Sequence, residues 1–419
     1  MIFHIQNKEY FRKQALLWAQ KFSHFAWLDN NQIHYLYNGF PNMLAVGEKS
    51  VISSDQNGFN SLQEWQDKNQ GWLFGFFTYD LKNEIEKLQS KNPEYIEFPS
   101  ICFFEPEHLL LFEENQVTIQ SENPEAIFEE IHSFEIDAIA NKHHIINSPA
   151  ASVSKENYIK KVDLIKEHLR DGDIYELNYC IEFTAQGGIS PVQTYLKLNE
   201  ISPMPFSCLI KVDSLYLISA SPERFLKKEG KKLISQPIKG TRKRGATLEE
   251  DIALIEDLKT SEKEIAENMM IVDLVRNDLS RSCKPGTVIA EEIFGVHTFQ
   301  QVHQMISTIT GEMYENTDAV DAIKNAFPMG SMTGAPKIRA MELIDEIEES
   351  KRGIFSGAAG FFTRDGDFDL NVIIRSIFYD EKNQKISFQV GSAITYEADA
   401  EKEYEECMLK AGAMLKVLE

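Results

Sequence analysis

Cysteine, positive charge and long apolar runs are all scarce in this chain, and each scarcity removes a class of function. The five cysteines, Cys102, Cys180, Cys208, Cys283 and Cys407, are scattered and form no CxxC pair. An odd count without metal-ligand spacing points to reduced thiols, not to a disulfide framework or a zinc site. Lys and Arg total 43 against 65 Asp and Glu, a formal charge of −22. So acidic a surface does not suit phosphate-backbone binding, which needs basic stripes. It does not by itself imply a metal either, because most such carboxylates are simply solvated. No apolar stretch is long enough to span a bilayer. The opening Met1-Ile2-Phe3-His4-Ile5-Gln6-Asn7 lacks the basic region and apolar run of a signal peptide. The expectation is a soluble, cytoplasmic protein.

What is present reads as an ordinary globular chain, with 43% hydrophobic and 26% charged residues. Its 419 residues exceed the size at which single cores usually stop growing, so two lobes or one large layered domain are both open. Residues 1 to about 140 read as strand-rich, with short apolar runs at Trp72–Phe77 and Leu109–Phe112. A polar stretch from about Asn141 to Ser154 is the best linker candidate, dividing residues 1–145 from 150–419. Tyr158, Val162, Ile165 and Leu169 then recur at helical spacing, and Gly172 stands where a C-terminal cap belongs. Ser207–Ser219 and Gln384–Val390 look like strands; Ser261–Leu279, Ile338–Glu348 and Glu401–Leu418 look like helices. The elements follow no strict βαβ rhythm, so the fold class is α+β.

Two of these helices carry paired carboxylates. Glu264 and Glu267 are three apart and share a face, as are Glu403 and Glu406, with Lys410 one turn further on. Facing each other, such pairs could hold a hard cation such as Mg²⁺, which takes few protein carboxylates. The same residues have plainer readings. Ser261-x-x-Glu264 is a capping box, and the acidic run from Glu401 fits a solvated face.

Two further segments bear chemistry. Gly330-Ser331-Met332-Thr333-Gly334-Ala335-Pro336-Lys337 leads into a helix, with Pro336 suited to its first turn. Glycines and free N–H groups there would favour a carboxylate or other small anion, or the segment is an ordinary tight loop. Glu223 lies 16 residues before Lys239, with a turn at Gly230 between them. A hairpin would bring a general acid and a nucleophilic amine together, or make a surface salt bridge.

The order and wording of these segments resemble the chorismate-utilising enzymes. The resemblance rests on Gly172–Tyr175, Ala220–Phe225, Pro237–Thr241, Asp273–Leu279, Gly330–Lys337, Arg352–Gly357 and Glu403–Lys410. It is strong over residues 150–419 and weak before them. It implies a four-layer α/β/β/α fold in which two antiparallel sheets pack together, the two regions interwoven in one core. It also implies roles: Glu267 and Glu406 as Mg²⁺ ligands, Glu264 and Glu403 as nearby water-holding carboxylates. Arg375, the Gly391 backbone and Lys410 would hold chorismate's carboxylates, Thr333 and Gly334 would belong to the substrate loop, and His303 would stand beside the ring.

Lys239 chooses the branch. Anthranilate, isochorismate and salicylate synthases usually have alanine there, whereas the branch forming 4-amino-4-deoxychorismate, for p-aminobenzoate and folate, has lysine. The resemblance implies a magnesium-dependent transferase in which Glu223 is the acid and Lys239 forms a covalent intermediate; the lysine must be neutral at the moment of attack, which burial would favour. No Gly-x-Cys-x-Gly segment is present, so ammonia would come from a separate glutamine amidotransferase subunit. Three positions depart from the family's habit: Glu176 where glutamine is common, Asn268 where histidine is, and Phe355 where tyrosine or tryptophan is. No Leu-Leu-Glu-Ser feedback motif is recognisable. Anthranilate synthase component I is the enzymatic alternative, and a non-catalytic regulatory member the other.

Overall fold

Alternation within single strands builds two cores at once. In the strand His24–Asp29, Phe25 and Trp27 enter one apolar cluster while Ala26 and Leu28 enter another. In its neighbour Phe206–Val212, Leu209 joins the first while Cys208 and Ile210 join the second. Both faces of such a strand are buried, because successive side chains point to opposite sides of the sheet. The computed structural model that shows this describes residues 1–33, 36–136 and 144–419.

The larger sheet has 13 strands among the described residues, running from Ile2–His4 through His24–Asp29, Phe206–Val212 and Leu215–Ser221. It continues through Lys385–Ile394 and Glu176–Gly188 to Ala150–Ala151. The smaller has ten, including Ile238–Lys243, Val302–Glu312, Arg224–Glu229, Phe368–Val372, Ala358–Phe362 and Leu73–Phe77. Their pairings are antiparallel. One core lies between the sheets and continues under the helices Glu262–Ser280 and Ala319–Ala326. The other lies between the outer face of the larger sheet and the helices Lys8–Ala19, Lys155–Asp171 and Ala400–Leu418. Helices, sheet, sheet and helices thus form four layers. Early and late segments share both sheets: Trp27 pairs with Leu209, and Gly75 with Gly360.

Several local expectations need correction. The apolar run Ser207–Ser219 is two strands, because Asp213 adopts φ 53° and turns the chain back as a hairpin. The strand-rich first region also contains helices at Lys8–Ala19, Gly58–Lys68 and Pro124–His132. Of the polar stretch from Asn141, residues 141–143 lie outside those described, and Ala150–Ala151 pairs with Phe183 and Thr184. The helix from Lys155 ends as read, with Gly172 left-handed at φ 80°. Among the described residues no helix is long and apolar enough to cross a membrane.

Candidate active site

A bulge places the lysine. The register of Ile238–Lys243 against Val302–Glu312 slips between Ile238 and Thr241, and Gly240 in the slip has φ 91°. A Cβ on Gly240 would lie 3.0 Å from Glu264 Oε2, so the glycine lets the strand close on the helix Glu262–Ser280. Bulges of this kind re-aim a side chain. Lys239 turns inward, and its Nζ donates to Glu176 Oε1 at 2.5 Å. The side chains are 10% and 1% exposed, so this is a buried pair and not a surface salt bridge. Asn268 Nδ2 donates to the Lys239 carbonyl at 3.3 Å and is itself fixed by Ser307 Oγ at 2.7 Å.

Burial is not the only influence on the charge of Lys239. Burial pushes its amine down, but Glu176, Glu267 and Glu406 together outweigh burial and hold it above the ordinary lysine range. Low dielectric strengthens attraction as well as the desolvation penalty, and three nearby carboxylates decide the sign. That balance favours the ammonium form in the ligand-free protein.

Glu223, at the mouth of the strand Arg224–Glu229, is buried and accepts from Ser331 Oγ at 2.6 Å. Burial raises its carboxyl to about 7, offset in part by Ser331, Lys239 and Arg375. The hairpin does bring Glu223 and Lys239 into one site, since Arg224 pairs with Gln236. They are not each other's hydrogen-bond partner, however; Ser331 and Glu176 take those places. A carboxyl near neutral pKa beside a buried amine is the arrangement acid–base chemistry needs.

The carboxylate helices meet beside this pair. Ser261 caps its helix by accepting from the Glu264 N–H at 3.4 Å. The Glu264 side chain accepts from Arg242 at 2.8 Å, however, so its carboxylate serves an ion pair. Glu267 is buried, and burial raises its carboxyl to about 7. Its Oε1 has no hydrogen-bond partner, the nearest cation being Lys263 at 3.7 Å. Lys263 also reaches Glu403 on the facing helix at 3.1 Å. Glu406 pairs with Lys410 at 2.7 Å, and that lysine also donates to the Gly391 carbonyl at 2.9 Å. Among the described residues no three metal-ligating side chains form a ready-made cluster. An orphaned buried carboxylate oxygen opposite a second acidic helix nonetheless suits a hard cation that keeps most of its waters.

Thr333 and Gly334 lie against the strand that carries Glu176. The Thr333 carbonyl accepts from Asn178 N at 2.8 Å, and Gly334 pairs with Leu177. A Cβ on Gly334 would come within 2.2 Å of the Glu176 carbonyl. One on Gly391 would meet Cys180 Sγ at 2.4 Å. Arg352 clamps the loop from behind, donating to the Met332 and Asn178 carbonyls and to Glu348. Arg375 has φ 51°, and burial lowers its guanidinium to about 10 against the pull of Glu223. Phe355 is buried in the turn after Arg352.

His303 is fully buried with both ring nitrogens engaged, by Asp251 at 2.8 Å and Thr298 at 2.9 Å, so its nitrogens are not offered to a ligand. Pro336 is the residue before the helix Lys337–Ile347, outside its first turn. Lys337 is spent on Asp278 at 2.6 Å and on the Ala326 and Pro328 carbonyls, a structural clamp. Conversely, Ser331, Lys263 and the Asn268–Ser307 relay escaped sequence reasoning, as did the pairing of Glu176 with Lys239. Only Glu176 and Asn268 gave a signal, as departures from family habit.

Comparison with known proteins agrees with this architecture. The family profile described as chorismate binding enzyme matches residues 23–416. Aminodeoxychorismate synthase from Streptomyces griseus is 41% identical over 267 residues, 63% of this chain and 36% of that protein. This chain thus spans little more than a third of that relative. Aminodeoxychorismate synthase component 1 of Bacillus subtilis is 32% identical over 365 residues, 84% of this chain and 77% of its own length. The crystal structure of anthranilate synthase component I from Streptococcus pneumoniae superposes with a TM-score of 0.78 at 26% identity, covering 92% of this chain and 94% of that one. The match over nearly the whole length and the shared four-layer fold place this chain in the chorismate binding enzyme family.

Proposed function

We propose that the chain aminates chorismate, converting chorismate and ammonia to 4-amino-4-deoxychorismate for p-aminobenzoate and folate synthesis. The observation that carries this reading is the buried Lys239, aimed into the same site as the neutral-range carboxyl of Glu223. Glu223 gives its proton to the C4 hydroxyl, which leaves as water. Lys239, having passed its proton to Glu176, bonds to C2 as both ring double bonds shift toward C4. Ammonia then bonds to C4 while the C2–N bond breaks and frees the lysine. Arg375, Lys410 and the backbone at Gly391, Thr333 and Gly334 would orient the substrate's carboxylates. Glu267 and Glu406 would hold Mg²⁺, with Glu264 and Glu403 around its waters; the ion would polarise the substrate's ring carboxylate. A separate glutamine amidotransferase subunit would supply the ammonia, and the buried, unpaired thiols suit a reducing cytoplasm.

Anthranilate synthase component I is the second reading, favoured by the name of the superposing structure. Purified chain incubated with chorismate, Mg²⁺ and ammonium should yield aminodeoxychorismate by mass spectrometry. Anthranilate, or no turnover, overturns the assignment. A chorismate-derived adduct on Lys239 tests the covalent step separately, and full amination by Lys239→Ala without added nucleophile would refute it.

A further inference from the structure

The two acidic helices are already joined by a cation of the protein's own. Lys263 stands in the first turns of the helix Glu262–Ser280, and its Nζ lies 3.1 Å from Glu403 Oε1 and 3.7 Å from Glu267 Oε1. It therefore spans the gap between this helix and Ala400–Leu418, and one of its two partners is the orphaned buried oxygen of Glu267.

The partners differ in freedom. The Glu267 and Glu403 side chains are 8% and 4% exposed, whereas that of Lys263 is 45% exposed. The anions are fixed by packing; the lysine can swing into water by side-chain rotation. The site's other lysines are tied more firmly. Lys410 holds both Glu406 and the Gly391 carbonyl, and Lys239 is buried against Glu176. The one hydrogen bond of Lys263 among the described residues goes to Glu403.

We propose that Lys263 is a tethered counter-ion that closes the carboxylate pair of the two helices in the absence of metal and that a divalent cation must displace. A magnesium or manganese ion at Glu267 Oε1 needs a short, direct contact at about 2.0–2.1 Å with water completing its shell. An ammonium group 3.7 Å from that oxygen stands where the ion's water shell would lie and adds like-charge repulsion. Metal and lysine thus exclude each other, and Lys263 lowers metal affinity while protecting the metal-free site from carboxylate repulsion. The inference rests on the magnesium assignment proposed above.

Manganese binding to the intact chain without substrate tests it, by calorimetry and by the spin-resonance signal of free Mn²⁺. Lys263→Met should bind Mn²⁺ at least several-fold more tightly than the unchanged chain, and Lys263→Arg should not. In chelator, Lys263→Met should melt earlier than the unchanged chain and gain more from added Mn²⁺. Equal or weaker Mn²⁺ binding by folded Lys263→Met would overturn the proposal. Acetylation of the unchanged chain, mapped by peptide mass, provides a test that needs no variant. Mn²⁺ should speed labelling of Lys263, and an unchanged rate with metal bound refutes displacement. Absence of Mn²⁺ binding by the unchanged chain would instead defeat the magnesium assignment itself.

Discussion

Lys239 and Glu176 meet at 2.5 Å from different sheets, the lysine on a strand of the smaller and the glutamate on a strand of the larger. The pair ties the two sheets at the candidate site, and it favours the charged form of the amine. Removing Glu176 removes one of three attractions that hold the ammonium. Glu176→Gln should therefore shift the pH at which Lys239 becomes reactive downward. Competitive acylation of Lys239 across a pH series, read by peptide mass, checks this; an unchanged midpoint would contradict the charge balance described.

Glu223 should act only while it holds its proton. With its carboxyl at about 7, turnover should persist below neutrality and fall as pH rises through that value. Glu223→Gln should lower turnover by ~10²–10⁴-fold, the usual range for loss of a general acid. Steady-state rates over a pH series would show the limb, and the variant's residual activity should lack it.

Glu267→Gln should abolish the gain that divalent metal gives. If the proposed ion is held there, loss of a direct ligand should cost more than loss of an outer-shell partner, roughly 10–100-fold in affinity. Calorimetric Mn²⁺ titration of the folded variant would measure the loss. Near-normal binding would place the cation elsewhere.

Away from the site, Arg224 is fully buried and doubly bonded to Asp369, with further bonds to Gln236 and the Asn38 carbonyl. Asp369→Ala leaves that guanidinium without its buried counter-charge, which should cost about 3–5 kcal/mol. Urea denaturation would register it. Arg224→Met combined with Asp369→Leu should be less destabilising than Asp369→Ala alone.

The pH dependence of stability follows from four carboxyls, the buried Glu182, Glu223 and Glu267 and the half-buried Glu94, each raised by desolvation from 4.5 to about 7. Between those values the folded chain keeps protons that the unfolded chain has released. Stability then falls as pH rises through the window and levels above it. The metal-free protein should melt at a lower temperature at pH 8 than at pH 5.5.

Much of this was legible in the sequence where one residue type has one physical use. Ser261 before an apolar-periodic run and Gly172 after one mark helix ends, because their capping chemistry is local. The carboxylate pairs were visible because a spacing of three puts side chains on one helix face. What could not be read was the partner of each charge. Glu176 and Lys239 are 63 residues apart, and Lys263 and Glu403 are 140 apart. Only the sheet and helix packing sets such pairings. Burial favours a neutral lysine, and the opposing pull of three carboxylates distant in sequence was not legible. His303 was named by resemblance alone, and its bonds to Asp251 and Thr298 depend on packing that spacing does not reveal.

The strand His24–Asp29 has a further consequence, for the order in which the chain can become a protein. Its neighbour in the larger sheet, Phe206–Val212, is almost two hundred residues downstream, and Leu73–Phe77 waits longer still for Ala358–Phe362. During synthesis the first strands emerge with nothing on one edge to bond to. Late closure of such long loops slows folding and leaves sheet edges open meanwhile. The same interleaving that lets both sheets border one active site makes the nascent chain dependent on its last third.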